Sequence, residues 1–223
     1  WRSLNHHSNE TLMNTLCQAG YDLIPSRQIY LIKKESCLKK NRDIKQDLKL
    51  LRNSHFREVL VTSPTIGDLD RFRHLYNKLY LDKYSYHNPQ FTRELFRVGI
   101  ETGTIKFFGL QDSKGDWQGV VGYIIRNNVM TTPIIGYNTN LPQKFGLYRM
   151  LTAIIFREAT NLCVDLNLSS GASNFKILRG GKPYIEYTAI YRKHLSKTRQ
   201  AIILALRAAL SNIGVPIMQK LQL

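Results

Sequence analysis

Apolar positions along this chain fall into helical and alternating rhythms that can be read in turn. Leu12, Leu16 and Ala19 recur at helical spacing and stop at Gly20, which predicts a short helix over Thr11–Gly20. Ile24, Ile29 and Leu31 then suggest a strand over Tyr21–Lys33, interrupted at Pro25. From Asn41 to Asn53 one face collects Ile44, Leu48 and Leu51, and another collects Lys45, Lys49 and Arg52, the pattern of a basic amphipathic helix. His55–Thr62 reads as a strand. Thr65 with Asp68 forms a cap signature ahead of the stripe Leu69, Phe72, Leu75, Tyr76 and Leu79, so a helix is expected through about Tyr80. Asn88-Pro89 is expected to open the next helix, ending near Gly103.

The second half alternates more strongly. Three strands are predicted, Thr104–Gln111, Trp117–Arg126 and Val129–Asn138, joined by Asp-Ser-Lys-Gly-Asp and by Asn127-Asn128, both good hairpin turns. A helix over Phe145–Asn161 buries Leu147, Leu151, Ile154 and Ile155. A strand Leu162–Leu168, a short helix from about Ala172 to Arg179, a strand Pro183–Tyr191 and a helix Ser196–Ser211 complete the chain. From Thr104 the order is β-β-β-α-β-α-β, so an antiparallel meander gives way to a βαβ crossover. The expectation is an α/β (mixed α+β) sheet with helices on both faces and a ligand site where the third strand hands over to the fourth.

Composition narrows the class. With 223 residues, 43% of them hydrophobic and 22% charged, the chain can bury a core and is not a disordered polymer. The longest apolar helical stretch, Ala201–Leu210, carries Arg207 and is short for a bilayer, so no transmembrane segment is expected. No signal peptide is read at Trp1, and its standing first leads us to expect further sequence upstream. Cys17, Cys37 and Cys163, with the six histidines, show no metal spacing; free thiols in a cytoplasmic, metal-free protein are expected. The net charge of +16 is concentrated. Lys33–Arg57 holds nine basic and three acidic side chains, and Lys176–Arg199 seven and one. Such blocks favour a polyanionic partner, with Lys45, Lys49 and Arg52 as the candidate polyanion-binding residues.

Taken in order, the elements from about Asn41 to Arg192 resemble the GNAT-fold acyltransferases, and more narrowly the branch with the FemA/FemX aminoacyltransferases and CelD-like (cellulose-biosynthesis-type) acetyltransferase domains. The motifs carrying the resemblance are Gln143-Lys144-Phe145-Gly146-Leu147-Tyr148, similar to the Gln/Arg-x-x-Gly-x-Gly/Ala pyrophosphate loop, and Gly171-Ala172-Ser173-Asn174-Phe175-Lys176, similar to the Phe-Lys signature after a glycine. Tyr148 departs from the small residue of the first pattern. The resemblance implies that Gln143, Lys144, Phe145, Gly146 and Leu147 hold donor phosphates and that Ile135, Gly136 and Tyr137 offer strand-edge bonds to a pantetheine arm. It also places Lys176 near the reacting acyl group or the donor phosphates. It divides the chain into an N-terminal segment, 1–62, left from a preceding lobe, and a GNAT-like domain, 63–223.

Acyl transfer to an amine needs a base for the nucleophile, an oxyanion donor and an acid for the leaving group. Carboxylates are scarce in the candidate region, where Asp165 and Glu186 stand on strands. Strand alternation puts Tyr184 with Glu186 and opposite Tyr187 and Tyr191. Glu186 as base, Tyr184 as acid and Lys176 at the acyl group are the candidate catalytic set. Three functions are in play: an N-acyltransferase using acyl-CoA or acetyl-CoA on a small-molecule amine, a FemX-like enzyme using aminoacyl-tRNA, and a catalytically silent GNAT-like module that binds polyanions. The first is the leading expectation; the charge supports the second, and Tyr148 with the thin supply of acid–base residues supports the third.

Overall fold

The computed structural model describes residues 1–35 and 41–221; Cys37, Lys39 and Lys40 lie outside the described residues. In chain order the first elements are α1 (Glu10–Gln18), β1 (Tyr21–Ile32), α2 (Arg42–Asn53), β2 (Arg57–Val61), α3 (Ile66–Asn77) and α4 (Arg93–Glu101). Then come β3 (Lys106–Gln111), β4 (Trp117–Arg126), β5 (Val129–Tyr137), α5 (Leu147–Leu162), β6 (Asp165–Asn167) and α6 (Ser173–Leu178). β7 (Lys182–Tyr191), α7 (Lys197–Ala209) and α8 (Val215–Leu221) close the chain. This is a mixed α/β fold with seven strands.

The chain forms two compact units, one of Lys34–Leu166 and one of Trp1–Lys33 with Asn167–Leu223. The boundary expected between residues 62 and 63 falls inside the first of these.

In the Lys34–Leu166 unit the strands run β2-β3-β4-β5-β6. The expected meander is there: β2, β3, β4 and β5 pair antiparallel, with Phe108 opposite Val121 and Val120 opposite Gly136. The crossover then returns through α5, and the Asp165 N–H bonds the Asn128 carbonyl, so β5 and β6 start side by side and run the same way. Helices cover both faces. On one, α3 lays Leu69, Phe72, Leu75 and Tyr76 over Val120, Ile134 and Trp117. On the other, Leu151 of α5 sits over Gly119. Thr65 and Asp68 make the predicted capping box, and Asp68 also accepts from the Trp117 indole at 2.5 Å, tying the cap to the core.

Three expectations in this unit are corrected. Asn88-Pro89 does not open α4, which starts at Arg93 behind Thr92. Asn88 instead bonds the Tyr80 carbonyl and Pro89 accepts from the Tyr76 hydroxyl, so both belong to the preceding turn. α5 starts at Leu147 rather than Phe145, because Gln143–Phe145 forms a separate 3-10 turn. β6 has three residues, not the seven of Leu162–Leu168, because α5 runs on to Leu162 and Cys163 takes a left-handed φ of 53°.

In the other unit β1 pairs antiparallel with β7, Tyr21 opposite Tyr191 and Tyr30 opposite Pro183, with an irregularity between Pro25 and Arg27 where the interruption was expected. Leu4, Met13, Leu16 and Ala189 form a small core under α1. The C-terminal helix overruns its expected end at Ser211. A wide π-helical turn, Leu210–Gly214, joins α7 to α8, and one helix runs from Lys197 to Leu221. Pro216 has no N–H to give to the preceding turn, and a widened turn just before it accommodates that loss. The helix therefore has 25 residues, long and apolar enough by length and composition to cross a membrane, contrary to the expectation drawn from Ala201–Leu210.

Candidate functional site

Lys176 is the feature of the β1–β7 unit that most needs explaining. It stands on six-residue α6 and is 3% exposed. A buried ammonium is expensive unless paired or hydrogen-bonded. Its Nζ donates to the Ser170 carbonyl at 2.7 Å and the Ser169 carbonyl at 3.1 Å, with the Tyr30 ring 5.8 Å away. Burial, with the Arg27 guanidinium adding repulsion, pushes its pKa down to about 7. The loop it holds is strained: Ser169 (φ 60°), Gly171 (φ 76°) and Ala172 (φ 49°) are all left-handed, and only one of them is glycine. The same loop bonds β1, through Leu168 N–H to the Tyr30 carbonyl and Tyr30 N–H to the Ser169 carbonyl.

Neutral lysine has two N–H donors and one lone pair. Both donors can stay on the two carbonyls while the lone pair takes a proton. At neutral pH this side chain is thus poised between an ammonium and an amine base.

Glu186 is 4% exposed, but its carboxylate is occupied. Arg27 binds it through Nε at 2.9 Å and through a second guanidinium nitrogen at 3.3 Å. Tyr184 is half-buried on the same strand and lines a small pocket of about 110 Å³ with Gln28, Tyr30, Ile177, Pro183 and Gln219. Gln28 Nε2 donates to the Tyr30 hydroxyl at 2.9 Å at this pocket.

In the Lys34–Leu166 unit the Gln143–Leu147 turn lies at the N-terminus of α5. Its Phe145 and Gly146 N–H groups bond the Pro142 and Gln143 carbonyls. Gly146 has φ 69°, a left-handed conformation that favours glycine, and a Cβ there would stand 2.7 Å from the side-chain tip of Leu50 of α2. Asp47 of α2, fully buried, accepts from Arg149 Nε of α5 at 2.6 Å. The basic helix is thereby fixed beside the turn, with Lys45, Lys49 and Arg52 exposed. Gln143 and Lys144 are exposed, Phe145 packs edge-on against His55 and Phe56, and Leu147 is buried.

At the end of β5, Gly136 lies under α3. A Cβ would meet the Tyr76 nitrogen at 2.5 Å, so close helix packing explains this glycine. Ile135 is buried, and Tyr137 begins an aromatic group with Tyr148 (rings 6.3 Å apart), Tyr80, Tyr76 and Tyr84. Tyr76 and Tyr80 stack at 4.8 Å, and Tyr80 sits in a π-helical turn, Lys78–Asp82. Burial pushes the Tyr76 phenol up to about 12 and Tyr80 higher still, so both are neutral hydrogen-bonding groups at any ordinary pH.

No family model matches the chain, and no curated protein matches it in sequence. Solved structures do match. The chain is similar to L-PGS from Bacillus licheniformis at TM-score 0.65 and 13% identity, covering 92% of this chain and 71% of that one. It is also similar to the C-terminal domain (DUF2156) of a candidate lysylphosphatidylglycerol synthetase from Agrobacterium fabrum, at TM-score 0.63 and 12% identity, with 94% and 71% covered. FemX matches at TM-score 0.60 and 7% identity, covering 83% and 69%. The chain has the fold of FemX and of the L-PGS-related domains.

Within this fold the expected residues fall in both units. Lys176, Tyr184 and Glu186 belong to the β1–β7 unit; Ile135–Tyr137, Gln143–Leu147 and Lys45, Lys49 and Arg52 belong to the other. Among the described residues no three His, Cys, Asp or Glu side chains gather as a metal site. Sequence reasoning missed Arg27, which occupies Glu186, and Leu50, which fills the space at Gly146. A charged residue two places after a strand proline was the available signal for Arg27; none marked Leu50.

Proposed function

We propose that the protein is an acyltransferase that moves an aminoacyl group from a tRNA-type donor to an amine or hydroxyl acceptor by direct transfer. The observation that carries the reading is Lys176, a buried lysine near neutral pKa on a strained loop, in a chain with the fold of FemX. With Glu186 held by Arg27, proton removal from the acceptor falls to the Lys176 amine, and Tyr184 is the phenol available to return a proton to the leaving group. The donor assignment is supported in the Lys34–Leu166 unit. Leu50 packs against Gly146, Tyr148 stands where GNAT donor loops keep a small residue, and exposed Lys45, Lys49 and Arg52 suit a phosphate backbone. The name of one neighbour, a lysylphosphatidylglycerol synthetase, couples a lysyl group with a phospholipid and so fits an aminoacyl group as the one transferred.

A second reading, acyl-CoA as donor, is favoured by the strand–turn–helix sequence Ile135–Leu147 alone. The test supplies label in the acyl group of mixed charged tRNA or of acetyl-CoA, with amine and hydroxyl acceptors present. Transfer from tRNA supports the first donor and transfer from acetyl-CoA the second. Loss of label from neither, beyond spontaneous hydrolysis, overturns the enzymatic reading.

A further inference from the structure

The Lys197–Leu221 helix packs along β1 yet none of its residues is buried. Its inner side, Gln200, Ile203, Leu210, Val215 and Met218, is half-buried, as expected for a helix lying on a strand. Its one mid-length charge is neutralised: Arg207 donates to Asp22 Oδ1 at 2.8 Å, and Arg192 binds the other oxygen of the same carboxylate. The outward stripe is apolar throughout, with Ile202 62% exposed, Leu206 49%, Ile213 61% and Ile217 46%. An uninterrupted stripe of this kind is unusual on a surface that meets only water. At 1.5 Å per residue the helix is roughly 37 Å long.

Charge identifies the occupant. Arg199 and Lys220 stand at the two ends of this stripe, Lys193 and Lys197 lie just before it, and no acidic residue occurs after Glu186. An apolar stripe bracketed by cations, with no carboxylate on the helix itself, complements an anionic lipid surface: side chains enter the acyl boundary while the basic ends remain at headgroup level. A second copy packed antiparallel would set basic end against basic end. A helix spanning the bilayer would have to leave β1 and break the Arg207–Asp22 pair.

We propose that this helix docks the protein flat on an anionic membrane surface, its Ile202–Ile217 stripe inward. Gln219, near its end, lines the pocket that holds Tyr184, so docking brings that pocket to the headgroups. The inference stands on the helix itself and not on the donor or the reaction.

The test is flotation of the protein with vesicles containing roughly 30 mol% phosphatidylglycerol, and with phosphatidylcholine alone. Expected is binding to the anionic vesicles that weakens with salt and drops at least about tenfold in the charge-neutral variant Ile202→Ser/Ile213→Ser/Ile217→Ser, with an unchanged melting temperature. In a separate variant, Ile213→Trp, fluorescence should shift to the blue on the same vesicles. No binding, binding indifferent to the serine substitutions, or no blue shift overturns the proposal. So does a dimer that the serine variant dissolves without vesicle binding, which assigns the face to a second copy. Bound protein that survives an alkaline carbonate wash shows insertion and equally overturns surface docking.

Discussion

Lys176 donates to the backbone carbonyl of Ser170 at 2.7 Å, and in doing so holds in place a loop strained by two left-handed non-glycine residues, Ser169 and Ala172. One side chain thus has a structural task and a chemical one. The two can be separated because they depend differently on protonation: either form of the amine donates to two carbonyls, but only the neutral form accepts a proton.

Stability should depend on pH through this lysine. Its folded pKa of about 7 lies below the ordinary lysine value, so between these two the unfolded chain binds more protons than the folded one. The cost is fully present below pH 7 and fades as pH rises toward 10. Urea denaturation should show the wild type gaining on the order of 2 kcal/mol from pH 7 to 9.5, relative to Lys176→Met over the same range. Parallel curves for the two proteins would show an unperturbed lysine.

Gly136 and Gly67 should respond oppositely to alanine. A Cβ at Gly136 collides with the α3 backbone, which cannot yield as a side-chain tip can, so Gly136→Ala should cost about 1–3 kcal/mol in denaturant unfolding. Gly67, in the first turn of α3, meets only the Thr65 hydroxyl at 3.7 Å, and Gly67→Ala should stabilise by roughly 0.5–1 kcal/mol.

Features whose causes are local could be read from the residues. The Thr65–Asp68 cap, the β3–β4–β5 meander and the exposed basic side of α2 all rest on neighbours a few positions apart. What escaped depends on distant partners. Ser169 and Ala172 are left-handed because Lys176 and β1 hold their loop, and neither residue type announces that conformation. Glu186 read as an available base because Arg27, its partner, lies 159 positions away. The C-terminal helix was expected to end at Ser211, whereas a π-helical turn, Leu210–Gly214, carries it onward. Asp47 lies in the interior because Arg149 of α5, 102 positions away, binds it there.

Asp22 joins Arg192 and Arg207 and is 8% exposed. Asp22→Asn should destabilise the protein by about 1–3 kcal/mol, because it leaves two guanidinium groups without their anion. The same change should loosen α7, visible as faster amide exchange around Arg207.

Lys45, Lys49 and Arg52 form an exposed basic row on α2. If they contact a nucleic-acid backbone, replacing all three by Ala should weaken charged-tRNA binding and reduce the slope of log K against log salt by about 2–3. Filter binding across a potassium chloride series reads both quantities, and an unchanged slope would remove α2 from the donor interface.

The most direct test of the central claim is the rate of acyl transfer against pH for the wild type and for Lys176→Arg. Arginine can still donate to both carbonyls but does not lose its proton. The account predicts a wild-type rate that climbs through an apparent pKa near 7, and a variant that folds, lacks that limb and is slower by roughly 100-fold or more. A Lys176→Arg protein with the wild-type rate and the same limb would contradict it.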